Sequence, residues 1–237
     1  MQTQTSPFKE KERIAHILML NSFFLSEIGL FQGQIGIALV MAQFYKYTNN
    51  EIFSDFVYDL LEIIISKTDK RLPFHFSNGL SGIGWGIEYL IQNKLVEGES
   101  VEVLEELDLK IMETDVKRIT DFSLETGFEG LLLYVIYHLQ GAIKQDSKLP
   151  FDRAYLSDIY SICKRIEYKK ANKSLQSLLN IYIAFAENKA IPDYNPQIMS
   201  FATNLPEIDY NKLATYSLGL NNGLAGALIH LIEKDKK

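Results

Sequence analysis

A pair of glycines spaced three apart opens an apolar, helix-length segment four times in this chain of 237 residues. The segments read GQIGIALVMAQFY from Gly33, GLSGIGWGIEYLI from Gly79, GFEGLLLYVIYHL from Gly127 and GLAGALIHLI from Gly223. Their first glycines lie 46, 48 and 96 residues apart, so the last gap is twice the period. A copy is therefore expected midway, and SLQSLLNIYIAFA from Ser174 stands there, with serines where the others carry glycines. A fivefold repeat of about 47 residues constrains the fold strongly, because such units cannot bury their apolar faces alone and must share a core. A single domain over residues 1–237 is the expectation, with repeats opening at Gly33, Gly79, Gly127, Ser174 and Gly223.

Amphipathic stretches of helical period lie between these segments, at roughly 8–25, 51–66, 100–119 and 152–168. Each has one apolar stripe and one charged face, as a helix with a wet side should. The glycine-opened segments differ. Ile37 to Met41 and Leu131 to Tyr137 are apolar on every side, which marks buried helices. The pattern is one outer, half-wet helix followed by one inner, buried helix. The fifth outer element is the weakest, since Pro192, Pro196 and Pro206 permit only short helical pieces. No long segment alternates at period two, so an all-α fold is expected. Glycines three apart share a helix face and let a neighbouring backbone approach. The first of each pair is also free to take loop dihedrals closed to other residues. A ring of helical hairpins, tighter inside than outside, accounts for this better than an open solenoid.

Apolar residues make up 47% of the chain, enough for such a core. Net charge is −6 with no basic stripe, which argues against a nucleic-acid partner. Cys163 is the only cysteine, which excludes an internal disulfide and a thiolate cluster. It sits among Ile159, Ile162 and Ile166 at helical spacing and reads as a buried small hydrophobe. Neither a signal peptide nor a membrane span is read from the sequence, so a cytoplasmic protein is expected.

Leu30-x-x-Gly33-x-x-Gly36, Phe76-Ser77-Asn78-Gly79-Leu80-Ser81-Gly82, Leu124-Glu125-Thr126-Gly127-Phe128-Glu129-Gly130 and Leu220-Asn221-Asn222-Gly223-Leu224-Ala225-Gly226 resemble the glycine-repeat motifs of the lanthionine synthetase C family. The resemblance runs over about residues 8–235. It implies an α,α-toroid, here of about five hairpins where the family has seven. It also implies an association with lantibiotic-type peptide modification, in which family cyclases use zinc to activate a peptide cysteine for addition to a dehydrated serine or threonine. Those cyclases hold zinc with two cysteines and a histidine, one and two positions before a helix-opening glycine. Here those positions carry Gln32, Asn78, Thr126, Lys173 and Asn222, and Phe31, Ser77, Glu125, Asn172 and Asn221. No Cys or His is among them, so neither zinc nor any other cofactor is expected, and no metal ligand is assigned.

The remaining candidates are few. His75 precedes the Gly79 motif at the rim where the family keeps its site, and would serve there as a general base or hydrogen-bond donor. Glu88, inside an apolar helix, is the other catalytic candidate, against a plain pairing with Arg71 or a neighbouring amide; no second acid stands at an equivalent inner position. Asn78, Trp85, Thr126 and Asn222 are the expected ligand-binding rim. Trp85 would equally wedge between inner helices, and helix capping would account for both asparagines. His16, His138 and His230 read as packed or hydrogen-bonded structural histidines. Three functions follow: a zinc-free pseudoenzyme that binds a peptide or a biosynthetic partner protein, an active enzyme (a cyclase with atypical ligands, or a sugar-acting α,α-toroid), and a structural subunit that forms a homo-oligomer or completes a ring with another protein.

Overall fold

The computed structural model describes residues 7–68, 72–187 and 194–236, and all regular structure among them is helical. The α-helices are α1 (Pro7–Ser22), α2 (Gln34–Thr48), α3 (Glu51–Lys67), α4 (Leu80–Gln92), α5 (Ser100–Val103), α6 (Glu105–Met112), α7 (Phe128–Lys144), α8 (Arg153–Arg165), α9 (Lys173–Ala186) and α10 (Leu224–Asp235). None is long and apolar enough to cross a membrane. The chain packs as two compact units. One comprises Met1–Asp69 with Pro196–Lys237, and the other Lys70–Asn195.

The expected alternation of outer and inner helices is present. In α3 the buried residues are Phe53, Phe56, Val57, Leu60, Leu61 and Ile64, a single stripe at helical spacing. In α4 every residue from Leu80 to Ile91 is buried, and in α7 every residue from Phe128 to Ala142. The outer element of the third repeat is broken into α5, α6 and a 3-10 turn at Val116–Arg118. That of the fifth is reduced to 3-10 turns at Ile198–Ser200 and Leu213–Thr215, as its prolines require; Pro192 lies outside the described residues. These paired helices accord with the hairpins of an α,α-toroid.

In the first unit, α10 packs on both α1 and α2, so the first and last repeats share a core. An open solenoid leaves its end repeats apart. Lys11, only 2% exposed, reaches Asp235 Oδ2 at 2.9 Å. The Tyr47 hydroxyl donates to the same carboxylate at 2.6 Å, and the Lys11 ammonium lies 5.7 Å from the Tyr47 ring centroid. One carboxylate thereby joins three helices.

The glycine pairs have a more local cause than crowding between helices. The first N–H groups of a helix have no partner within it. Here the loop ahead of each inner helix folds back and supplies one. The amide of the first helical residue donates to the carbonyl seven residues earlier: Gln34 to Glu27, Leu80 to Pro73, Phe128 to Asp121 and Leu224 to Ser217, at 2.8–3.1 Å. The next amides follow in the same register, Ile35 to Ile28, Ser81 to Phe74 and Ala225 to Leu218. A Cβ on Gly79 would collide with the Pro73 carbonyl, and one on Gly127 would meet the Asp121 carbonyl oxygen at 2.5 Å. The backbone at Gly79 is extended (φ −132°, ψ −161°) and open to any residue, so space and not dihedral freedom selects glycine. The expectation of special loop dihedrals is thus corrected. Crowding between repeats adds to this at Gly130, where a Cβ would also collide with Phe76.

The serine-bearing repeat uses another device. The N-cap of α9 is Asn172, whose side chain accepts from the Leu175 amide at 2.8 Å. With a side-chain cap, no folded-back loop is needed, and glycine is not required. Ser174 is exposed two residues inside the cap, so the helix starts two residues before the serine register. α9 is also half-wet, burying only Leu175, Leu178, Leu179, Ile181 and Tyr182.

Gly127→Ala should therefore destabilise the protein by about 2–4 kcal/mol, because the overlap is with backbone and no rotamer relieves it. Ser174→Ala should stay within about 0.5 kcal/mol of the parent. Urea unfolding followed by circular dichroism separates the two; equal stabilities for both variants would contradict the loop-cap account.

Candidate functional site

The rim of each unit is built from the loops that cap the inner helices, and neighbouring loops are joined through backbone. In the first unit the Asn221 amide donates to the Phe31 carbonyl at 3.0 Å, and the Gln32 side chain receives a bond from Ser217 Oγ at 3.0 Å. In the second, the amides of Phe76 and Ser77 both donate to the Glu125 carbonyl, at 3.0 and 2.9 Å. Phe31, Gln32, Ser77, Glu125 and Asn221 among these stand one or two positions before the helix-opening glycines.

Asn78 and Thr126 are exposed at the rim of the second unit, and Asn222 at that of the first. Neither asparagine caps a helix: the N-caps are Gly79 and Gly223, without side-chain bonds. Asn222 instead takes a left-handed backbone (φ 52°), a conformation asparagine tolerates. Thr126 Oγ1 donates to Asp121 Oδ2 at 2.6 Å, and Ser123 donates to the same carboxylate through its amide and its hydroxyl. The bonds from Thr126 and Ser123 hold the Asp121 carboxyl below the ordinary carboxylate range, with a smaller contribution from the nearby charge of His75. His75 is half-buried, its ring edge-on to Phe74 with centroids 5.3 Å apart. The structure thus brings His75, Asp121 and Thr126 to one rim.

Trp85 is not at the rim. It is fully buried, with Phe76, Tyr89 and Tyr137 rings 5.2–5.9 Å from it, and so acts as the wedge between inner helices. Cys163 is buried, and burial pushes its thiol up to about 12, so it carries no reactive thiolate at neutral pH. His16 is exposed and His230 half-buried.

Glu88 is fully buried, and its partner is not the expected one; Arg71 lies outside the described residues. Glu88 Oε2 is 2.6 Å from His138 Nδ1, and His138 Nε2 is 2.9 Å from Asp108 Oδ2. Gln92 donates to Glu88 Oε1 at 2.8 Å, and the Tyr134 hydroxyl donates to Asp108 Oδ1 at 2.5 Å. All four carboxylate oxygens therefore accept a hydrogen bond. Both ring nitrogens face a carboxylate oxygen, an arrangement that a charged imidazole satisfies by donating from both. Burial alone would lower the His138 pKa, but the bonds to Asp108 and Glu88 outweigh it and push it up to about 9. Burial raises Asp108 above the ordinary carboxylate range, against the lowering effect of its His138 and Tyr134 bonds. A Cβ on Gly141 would collide with Glu88 Oε1, so this glycine makes room for the acid. The second acid, Asp108, comes from outer helix α6, where the repeat register gave no reason to look. His138 had a signal: it lies eleven residues after Gly127, and Glu88 nine after Gly79, which sets them at similar heights on adjacent inner helices. The cluster has no face open to solvent.

The zinc implied by the resemblance does not fit the residues present. No cysteine or histidine precedes a helix-opening glycine at the relevant positions. Among the described residues, no group of three or more His, Cys, Asp or Glu side chains is arranged to hold a metal ion.

The buried cluster gives a pH prediction. The His138 pKa is raised from 6.5 to about 9 on folding, so its stabilisation is complete below about pH 6.5 and lost as pH rises through about 9. The raised Asp108 acts in the same sense at lower pH, losing stabilisation as pH climbs above 3.8 through its folded value. Urea unfolding should show stability falling between pH 6.5 and 9. His138→Asn should remove that slope and cost about 3–5 kcal/mol at pH 6. If that variant does not fold, Asp108→Asn should show a reduced slope instead. A flat parent profile across this window would refute the charged imidazole.

Comparison with known proteins places these features in a family. Among solved structures, nisin cyclase is similar, with 16% identity and a TM-score of 0.45, over 84% of this chain and 59% of that one. The present chain thus spans less than two thirds of that protein. The comparison with curated proteins gives no match. A family model described as lanthionine synthetase C-like protein matches residues 25–237, nearly the whole chain, and the protein belongs to that family.

Proposed function

We propose that this protein is a zinc-free, non-catalytic member of the family that binds a peptide or a partner enzyme during maturation of a ribosomally made, lanthipeptide-type peptide. One observation carries the reading. The family's helix openings are retained, while none of the positions expected to hold zinc bears a cysteine or histidine. Glu125, the one carboxylate among them, cannot make a site that requires three protein ligands. Asn78, Thr126 and Asn222 stand at these loops and are the rim residues through which a ligand would be contacted.

A second reading, an enzyme with unfamiliar machinery, is favoured only by His75, which stands near Asp121 at the same rim. Such a pair is suited to general-base work. Glu88 lends this reading no support, since its carboxylate is sealed in the core.

Zinc content decides between them. Untagged protein purified with zinc present and then dialysed should carry close to no metal per chain by mass spectrometry. The same protein should bind a synthetic dehydrated peptide that contains cysteine, measured by calorimetry, without consuming its thiol faster than the uncatalysed reaction. One zinc per chain, or thioether formation abolished by His75→Ala, would overturn the proposal.

A further inference from the structure

The second unit has a cleft of about 280 Å³ on its rim side, where the loop ahead of α7 meets the connection from α8 to α9. Its apolar lining comes from Phe122, Ile166, Ala171 and Leu175, and its polar walls from Arg165, Glu167 and Lys170. The connection is firmly held. Gln176 Nε2 donates to the carbonyls of Tyr168 and Ala171, both at 2.9 Å, and Asn180 donates to the Tyr168 hydroxyl at 2.9 Å. Asn172 both caps α9 and donates to the buried Glu129 at 2.8 Å. On the other side, Phe122 packs edge-on against Phe128, beside the turn fixed by Asp121. The cleft is preformed.

Its charge is the reverse of the protein's. Residues 164–173 read KRIEYKKANK, five cations and one acid, in a chain of net charge −6. Lys164 is paired with Glu187, and Lys170 with Glu167. Arg165, Lys169 and Lys173 are exposed and make no ion pair among the described residues. An apolar slot with unpaired Arg165 in its wall, and unpaired Lys169 and Lys173 on the same connection, selects a ligand that is apolar at one point and anionic beside it.

We infer that this cleft docks an acidic peptide segment, seating an aliphatic or aromatic side chain against Phe122, Ile166 and Leu175 while its flanking carboxylates meet Arg165, Lys169 and Lys173. Arg165 suits the role because its planar fork matches a carboxylate in two-point fashion. Nucleic acid fits less well, since it has no aliphatic or aromatic side chain to seat in the apolar slot and Glu167 stands in the wall against a continuous phosphate chain. The inference deepens the peptide-binding reading proposed above and rests on it.

The test is fluorescence anisotropy on the full chain. The probe is a fluorescein-labelled synthetic peptide of alternating aspartate and leucine. Controls are aspartate–glycine and lysine–leucine peptides and a short single-stranded oligonucleotide. The aspartate–leucine peptide should bind, with affinity falling as salt rises. Both the Arg165→Glu substitution and the exchange of leucine for glycine in the probe should weaken binding by about tenfold or more. Arg165 is exposed, so its variant should keep the parent's melting temperature. The inference is overturned if the probe does not bind or Arg165→Glu binds it equally. It is also overturned if the aspartate–glycine peptide binds as tightly, or if the oligonucleotide binds more tightly than any peptide. Zinc loading or thioether formation would sink the zinc-free reading and leave a positive cleft result standing. Failure of the probe on zinc-free protein would sink the cleft alone.

Discussion

The backbone bond from an inner helix's first amide to the carbonyl seven residues earlier is the interaction on which this architecture rests. A buried helix start must satisfy its amides without water, and an unpaired buried group costs about 1–3 kcal/mol. Four repeats meet that need with main chain alone, which brings the preceding loop so close that no side chain fits at the cap. The loops so positioned then form the rim. Side chains one residue before each glycine are not themselves partners in that backbone bond. A backbone cap of this kind constrains the glycine more than the residue ahead of it, which is Gln32, Asn78, Thr126 and Asn222 in the four repeats.

The second unit adds a different constraint. Its inner helices α4 and α7 are buried along almost their full length, and a wholly apolar seam would permit them to slide. The Glu88–His138–Asp108 cluster, with Gln92 and Tyr134 completing it, gives the seam one polar register. Each donor and acceptor is matched, so a shifted packing would leave buried charge unpaired. Gly141 shows how closely the site is shaped, since even a methyl group there would displace the carboxylate.

Much of the fold was legible because it is written in periodicity. The all-helical class, the outer and inner alternation and the weak fifth outer element all follow from apolar spacing and proline placement. What was not legible depends on contacts between elements. The glycines announced crowding, but not that the crowding group was each helix's own loop. Ser174 marked the missing repeat, yet the cap lay at Asn172, because a side-chain oxygen replaces the loop carbonyl there. Trp85, beside a glycine-rich start, looked available to a ligand until three aromatic rings enclosed it. Asp108 was invisible, since nothing in α6 indicates that it turns toward His138. The basic run at 164–173 is short within an acidic whole and amounts to no stripe in the sequence; the cleft beside it gives it significance.

Lys11, Tyr47 and Asp235 tie the start of the described chain to its last helix. The unit they close is discontinuous, made from residues on both sides of the other, whereas Lys70–Asn195 is one uninterrupted stretch. During synthesis the uninterrupted unit has all its partners before α10 has left the ribosome. The unit begun first must wait, with the apolar faces of α1 and α2 that await α10 still uncovered, until α10 itself has emerged. The order in which this protein is made is thus the reverse of the order in which its two cores are completed.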